Sequence, residues 1–243
     1  MLHGSVALVT GAAGGIGSAI ARSLAIAGAD LGISDVDSDR LGPIAREISE
    51  LGRRALVIPA DLLVQEQVET MMAEAFGALG RLDILVNCAG AIVLKSFDET
   101  TIEEYRRQMD LHYMATVIAC KSAVPIMKKQ RSGKIISMSS ISGTIGYAHH
   151  SAYSPAKGAI IRFSEAIAQE LKPYHITVNC IAPNAVDTGL FDNWIRETNT
   201  HLDRTDWIQP HEIGELAVFL SSPAARSITG ATIVVQGVYD ADA

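Results

Sequence analysis

Ser5-Val6-Ala7-Leu8-Val9-Thr10 runs without interruption into Gly11-Ala12-Ala13-Gly14-Gly15-Ile16-Gly17, an apolar stretch of strand length followed by a glycine-rich turn. Over residues 16–27 apolar side chains recur at helical spacing, and Gly28 stands where such a helix would stop. A strand that turns through glycines into a helix has a physical use. Glycines allow a tight turn, let backbone amides approach an anion, and let helix pack close on strand, while the helix N-terminus favours negative charge. The glycine spacing alone is a weak signal that a turn binding nothing also gives, and its place between the first strand and the first helix favours binding.

The strand–helix alternation continues along the chain. Apolar runs at 31–34, 55–59, 82–86, 134–138, 177–181 and 231–235 read as strands. Helical spacing covers 40–51, 64–79, 102–127, 152–171 and 210–220. Seven continuous apolar strands joined by helices predict an α/β protein, a doubly wound Rossmann-type parallel sheet with helices on both faces. The 243 residues fit one domain, with 189–207 as a short amphipathic lid carrying Leu190, Phe191, Trp194 and Ile195 on one face. Trp207 is a second candidate for that lid.

Composition excludes several classes. With 48% hydrophobic and 19% charged residues the chain is too apolar for disorder, and no run is long enough to span a bilayer. No basic, apolar and cleavage-site sequence of a leader precedes the first strand, so the cytoplasm is the expected compartment. A net charge of −7 without a basic stripe argues against a nucleic-acid partner. Cys88, Cys120 and Cys180 are odd in number, widely spaced and set in apolar runs, which suggests buried thiols rather than disulfides or a metal site.

Chemistry concentrates in three places. Asp35 follows the second strand, where a carboxylate can accept hydrogen bonds from ribose hydroxyls and repel a 2′-phosphate; no Arg or Lys stands beside it in sequence or within the glycine turn, so NAD is expected over NADP. Asp37 and Ser38 are better placed to cap the following helix. Tyr153 and Lys157 lie four apart, on one face of the expected helix, so the ammonium can sit under the phenol oxygen. Moving a phenol from near 10 to about 7 takes roughly 4 kcal/mol, and one charge at about 4 Å supplies that order of energy at moderate dielectric. Ser140, at the end of a strand and thirteen residues before the tyrosine, can hydrogen-bond a substrate oxygen.

Gly11, Gly15 and Gly17, then Asn87-Cys88-Ala89-Gly90, then Ser140, Tyr153 and Lys157 occur in the order of the short-chain dehydrogenase/reductase family, which the sequence resembles over nearly its whole length. Cys88 departs from that family's Asn-Asn-Ala-Gly. The resemblance implies a dinucleotide held by Gly11, Gly14, Gly15, Ile16 and Gly17, by Asp35, Asp61 and Leu62, by Asn87 and Gly90, and by Val186 and Thr188 at the nicotinamide carboxamide. Tyr153 would exchange the proton of an alcohol or ketone, with Lys157 lowering its pKa and holding the ribose. The family's relay asparagine falls on His112, itself a proton carrier near neutral pH, although a packed helix histidine is as good a reading. Asn184 replaces a usual glycine, at a turn where positive φ is tolerated by Asn.

Ligands of such sheets lie beyond the carboxyl ends of the strands, which makes Ile92, Ser142, Tyr147, His149, His150, Asn184 and Trp194 candidates for the substrate wall. The expectation is an NAD-dependent dehydrogenase of a secondary alcohol. Alternatives are an NAD(P)H-dependent carbonyl or ketoacyl reductase using the same residues in reverse, and a catalytically silent dinucleotide-binding regulator. The resemblance also implies a homotetramer or homodimer through the helices at 102–127 and 152–171, while the ending Val235-Gln236-Gly237-Val238-Tyr239-Asp240 departs from the family's usual Asp-Gly-Gly.

Overall fold

In the computed structural model, which describes residues 1–191, 196, 204 and 207–237, the seven apolar runs become one sheet. Its strands are β1 (Val6–Thr10), β2 (Asp30–Ser34), β3 (Ala55–Val57), β4 (Ile84–Asn87), β5 (Gly133–Met138), β6 (Ile176–Pro183) and β7 (Thr232–Val235). They lie in the order β3-β2-β1-β4-β5-β6-β7, every pair parallel. The helices among the described residues are α1 (Gly15–Ile26), α2 (Ser38–Glu50), α3 (Gln65–Leu79), α4 (Ile102–Gln108), α5 (Ala115–Gln130), α6 (Tyr153–Leu171) and α7 (Pro210–Ser221).

The double winding follows from the two-residue period of a strand whose faces are both covered. In β1, Ala7 and Val9 pack with α1, α2 and α7, in one core with Ile20, Leu24, Ile48 and Ile213. Leu8 points the other way, into the core that Met71, Met72, Ala119 and Met127 of α3 and α5 complete. Strand order reverses between β1 and β4, where Thr10 pairs with Asn87. Helices attached on either side of that pair leave to opposite faces, and a crevice opens at the carboxyl ends.

The glycine turn sits at this crevice. Gly11 has φ +67°, and a Cβ there would fall 2.5 Å from the Cα of Ala89 on the neighbouring loop. A Cβ on Gly17 would lie 2.1 Å from the Gly11 carbonyl oxygen, so α1 can start this close to β1 only without a side chain. Asp37 caps α2, accepting a hydrogen bond from Arg40 N at 3.4 Å, as its position after β2 suggests.

The stretch 102–127 departs from the single helix expected. α4 ends at Gln108, a π-helical turn spans Met109–Met114, and α5 then runs on. The amide of Ala115 donates to the carbonyl of Asp110, five residues back, and the Thr116 hydroxyl donates to the His112 carbonyl at 2.7 Å. A turn widened by one residue rotates the side chains after it while leaving the apolar period almost intact, so periodicity does not report it. Of the expected lid at 189–207 the structure describes the short 3₁₀ turn Gly189–Phe191 and residues 196, 204 and 207, and Trp194 and Ile195 lie outside the described residues.

Two glycines of opposite circumstance test this packing. Gly17→Ala should lower stability in urea unfolding by about 1–3 kcal/mol, the range for overpacking a close-packed site. Gly77→Ala, on the exposed face of α3 with nothing within 4 Å of the added carbon, should raise it by about 0.5–1 kcal/mol.

Candidate active site

A cleft of about 850 Å³ runs along the carboxyl edge of the sheet from Asp35 and Asp61 at one end to Tyr153 and Lys157 at the other. The end of β1 supplies Gly11, and the start of α1 supplies Gly14, Gly15, Ile16 and Gly17. Gly14 caps α1 without a side chain, and the first amides of the helix have no intrahelical acceptor. Asp35 is fixed by its surroundings: one carboxylate oxygen accepts from Ala13 N at 3.1 Å and the other from Asp37 N at 3.2 Å. Asp61 accepts from Leu63 N at 2.9 Å, and Leu62 lines the wall beside it. Arg40 also lines this end, one turn into α2, a basic neighbour of Asp35 that adjacency in sequence misses.

At the other side of the crevice, Val186 is held by a parallel bridge to Ile208, with Ile208 N donating to Ala185 O and Asp187 N donating to Ile208 O. Thr188 reaches over the glycine turn: a Cβ on Gly15 would meet its methyl at 2.5 Å. Asn184 donates its amide to Val235 O at 2.8 Å and does not take a positive φ, so the conformational freedom expected of it is not called on. The Asn87 side chain faces inward, donating to the Ser137 hydroxyl at 3.1 Å and approaching the Cys120 sulfur, and so ties β4 to β5 and α5, while Cys88 and Gly90 after it line the cleft.

The catalytic end is built by packing α6 against the end of β5. Ser139 donates its hydroxyl to the Lys157 carbonyl at 2.9 Å, and Lys157 Nζ donates to the Met138 carbonyl at 2.8 Å. Neither Ser139 nor the Met138 carbonyl was anticipated, since a strand-end serine has no sequence signature of its partner. Ser140 is extended, caps the 3₁₀ turn Ile141–Gly143 by accepting from Ser142 N at 3.1 Å, and lines the cleft together with Tyr153. Tyr153 is 7% exposed and Lys157 5%.

That dryness changes the expected acid–base balance. Burial pushes the Tyr153 phenol up to about 12, the Ser140 hydrogen bond offsetting only part, and brings the Lys157 ammonium down to about 8. The ammonium lies 5.6 Å from the phenol ring centroid and is spent on the Met138 carbonyl. The tyrosine is therefore held protonated rather than tuned to about 7, because desolvation penalises both charged forms in one pocket. Cys88, beside it, is pushed up to about 12 by burial and stays a thiol.

His112 is 2% exposed and stands edge-on to Tyr153, ring centroids 5.3 Å apart. Its Nε2 bonds the Ala91 carbonyl at 2.7 Å, so that nitrogen carries the proton, and Nδ1 is buried without a partner. Burial, with the Lys157 charge second, holds the ring well below the usual histidine value. A ring so placed favours its neutral form. Gly90 makes room for it: a Cβ there would lie 2.5 Å from His112 Cε1.

Ile92, Ser142, Tyr147 and His150 line the cleft as expected, together with Leu111, Ile141 and Leu190. His150 lies between two tyrosines, its ring 5.6 Å from Tyr147 and 6.2 Å from Tyr153. His149 does not line it; with φ +65° it turns away, its carbonyl accepting from Lys95 N. Trp207 is also absent from the wall and stacks with Arg204, 4.9 Å from the ring centroid.

This cleft has the dimensions and donors that a dinucleotide requires: a glycine turn with no room for side chains, open helix amides, and a fixed carboxylate at one end. The short chain dehydrogenase family pattern matches residues 5–199. The chain belongs to the short-chain dehydrogenase/reductase family, and is an oxidoreductase of it. It is 36% identical to the uncharacterized oxidoreductase YxjF of Bacillus subtilis (strain 168), covering 97% of this chain and 98% of that one. It is 34% identical to the cis-4-hydroxycyclohexanecarboxylate dehydrogenase of Sinomonas cyclohexanicum, covering 97% and 96%. A crystal structure of NAD⁺-bound xylitol dehydrogenase superposes with a TM-score of 0.89 at 25% identity, covering 98% and 99%. Among the described residues no helix is long and apolar enough to cross a membrane.

The neutral histidine has a thermodynamic signature. Unfolded, His112 takes up a proton near pH 6.5; folded, it resists, so the unfolded chain binds more protons as pH falls and stability drops below about 6.5. His112→Asn should flatten this loss, seen as a smaller fall in Tm between pH 7.5 and 5.5 than the wild type shows.

Proposed function

We propose that this chain transfers hydride between a secondary alcohol, or the corresponding ketone, and NAD. The observation that carries the reading is a buried Tyr153 beside a Lys157 pinned to the Met138 carbonyl, with Ser140 on the same wall, at the end of a cleft whose far end holds Asp35. Bound nicotinamide supplies the hydride acceptor or donor; the chain's own groups handle the proton. Tyr153, protonated as it stands, gives its proton to a ketone oxygen, and takes one from an alcohol when it is a phenolate. Ser140 donates a hydrogen bond to the same oxygen and steadies it as charge develops. Lys157, charged below about 8, lowers the cost of the phenolate. His112 positions Tyr153 by edge contact and offers Nδ1 as an acceptor to a relay molecule. The known reaction of the Sinomonas relative, on a ring secondary alcohol, and the NAD⁺ bound by the xylitol enzyme support this reading.

NAD preference rests on Asp35, whose charge disfavours a 2′-phosphate, set against Arg40, which could receive one. A carbonyl reductase would use the same residues in the opposite direction. An intact Ser140, Tyr153 and Lys157 weighs against a silent regulator. We also propose a homodimer or homotetramer through the α4–α5 and α6 faces, where Ile102 and Met114 remain exposed; light scattering after size exclusion reads it directly.

Three measurements test the reading. NADH formation against secondary alcohols should be abolished to within roughly 1% in Tyr153→Phe while NAD still binds; binding without turnover of any alcohol or ketone by the wild type would favour the regulator. Asp35→Ser should raise the NADP-to-NAD ratio of kcat/KM by about tenfold or more, through Arg40. With the phenol at about 12, the phenolate fraction grows with pH, so kcat/KM for alcohol oxidation should climb between pH 7 and 9 while ketone reduction does not.

A further inference from the structure

We propose that His150 carries the reaction's proton between Tyr153 and solvent, with its Nε2 as the port. The proposal rests on the alcohol–ketone reading and names the residue that completes its proton path. In each turnover Tyr153 takes up or gives out one proton from a side chain that is 7% exposed. A second group has to connect it with water.

The neighbours of Tyr153 separate by elimination. Lys157 is 5% exposed and its ammonium is held by the Met138 carbonyl at 2.8 Å. Cys88 stays a thiol. His112 stands edge-on to the Tyr153 ring, yet its Nε2 is committed to the Ala91 carbonyl and its free Nδ1 is buried away from solvent. At Nδ1 it can accept a hydrogen bond, but burial opposes its taking the proton. Ser140 lines the same wall with a hydroxyl, which orients a proton and does not store one.

His150 differs in each respect. It is half-buried on the cleft wall at the approach to α6, where its carbonyl accepts from Ser154 N at 2.8 Å. Its Nδ1 bonds the Ala148 carbonyl at 2.8 Å, so that nitrogen carries the hydrogen and Nε2 keeps its lone pair. Among the described residues Nε2 has no hydrogen-bond partner. The ring centre stands 6.2 Å from that of Tyr153, a gap that one intervening water can bridge. The titratable groups facing it are Tyr153 of α6 and, on its own loop, Tyr147. Across the cleft, α4 and the π-helical turn bring Arg107 and His112 to the wall, and on the loop after β4 the Lys95 ammonium is paired with Glu104. In oxidation, hydride leaves the carbinol carbon for bound nicotinamide and the hydroxyl proton goes to the Tyr153 phenolate. The phenol then passes that proton through a water to His150 Nε2, which restores the phenolate, and the imidazolium releases it to solvent. Alcohol and oxidised dinucleotide thus become ketone, reduced dinucleotide and one free proton, and reduction runs the same path inward.

The test is a loss that a free proton carrier repairs. With an alcohol or ketone that the wild type turns over, His150→Ala should lose about tenfold or more in kcat, with KM and NAD binding nearly unchanged. Added imidazole should restore its rate in proportion to concentration and leave the wild type unaffected. His150→Phe, which keeps a ring between the two tyrosines, should lose as much as His150→Ala. Turnover by folded His150→Ala equal to the wild type overturns the inference and leaves the alcohol–ketone reading standing. A loss that imidazole does not relieve, or that His150→Phe does not share, also overturns it and makes the ring a packing element. If the variants do not fold, nuclear magnetic resonance of the cofactor-free protein, isotope-labelled at histidine, decides. Tyr153→Phe should then shift the titration midpoint of His150, which upholds the link between the two side chains, and an unmoved midpoint overturns it. If the wild type turns over nothing, the reading of function has failed, and the same midpoint decides whether His150 and Tyr153 share a proton.

Discussion

The Tyr153 end of the cleft depends on how one lysine is seated. Lys157 is fixed at both ends to the end of β5 and the residue after it: its carbonyl takes the Ser139 hydroxyl and its ammonium gives a hydrogen bond to the Met138 carbonyl. Those two bonds set the height of α6 over the sheet edge. With the helix at that height, Tyr153 at its first residue lines the same cleft as Ser140. The 3₁₀ turn between them is packed equally close, since a Cβ on Gly143 would meet the Lys157 carbonyl carbon at 2.8 Å. Serine, tyrosine and lysine are therefore positioned by strand-end geometry, before any ligand contributes.

The same close packing sets the protonation states. Excluding water from the pocket strengthens each electrostatic interaction in it, and it also removes the solvation that each charge would need. Tyr153 at about 12 and Lys157 at about 8 are two results of that one cause. His112, moved in the same direction as the lysine, contributes a neutral ring. What the pocket holds ready is a proton on the phenol, which is the form that reduction of a ketone consumes.

The π-helical turn at Met109–Met114 reaches the cleft with two neighbouring residues. It turns His112 inward against Tyr153 and sets Leu111 on the cleft wall. Insertion of a residue into a helix costs hydrogen-bond geometry, and such turns persist mostly where a side chain has to be aimed. Gly90 is the complementary concession on the opposite loop.

Most of the architecture was legible in the amino-acid sequence. Seven apolar runs and the helices between them dictate a parallel sheet covered on both faces, and Gly11, Gly15 and Gly17 mark the place where backbone must meet backbone. Short-range patterns carry these features, so sequence alone suffices for them. Ser140, Tyr153 and Lys157 could likewise be picked out by spacing and resemblance. Tertiary structure alone decided which way the Asn87 side chain faces, where the long helix widens, that Arg40 lines the same cleft as Asp35, and that Tyr153 keeps its proton. Each of these is a matter of burial or of neighbours distant in sequence, and the free energy of a charge depends on how much water its neighbours leave it, which no local pattern of residues records.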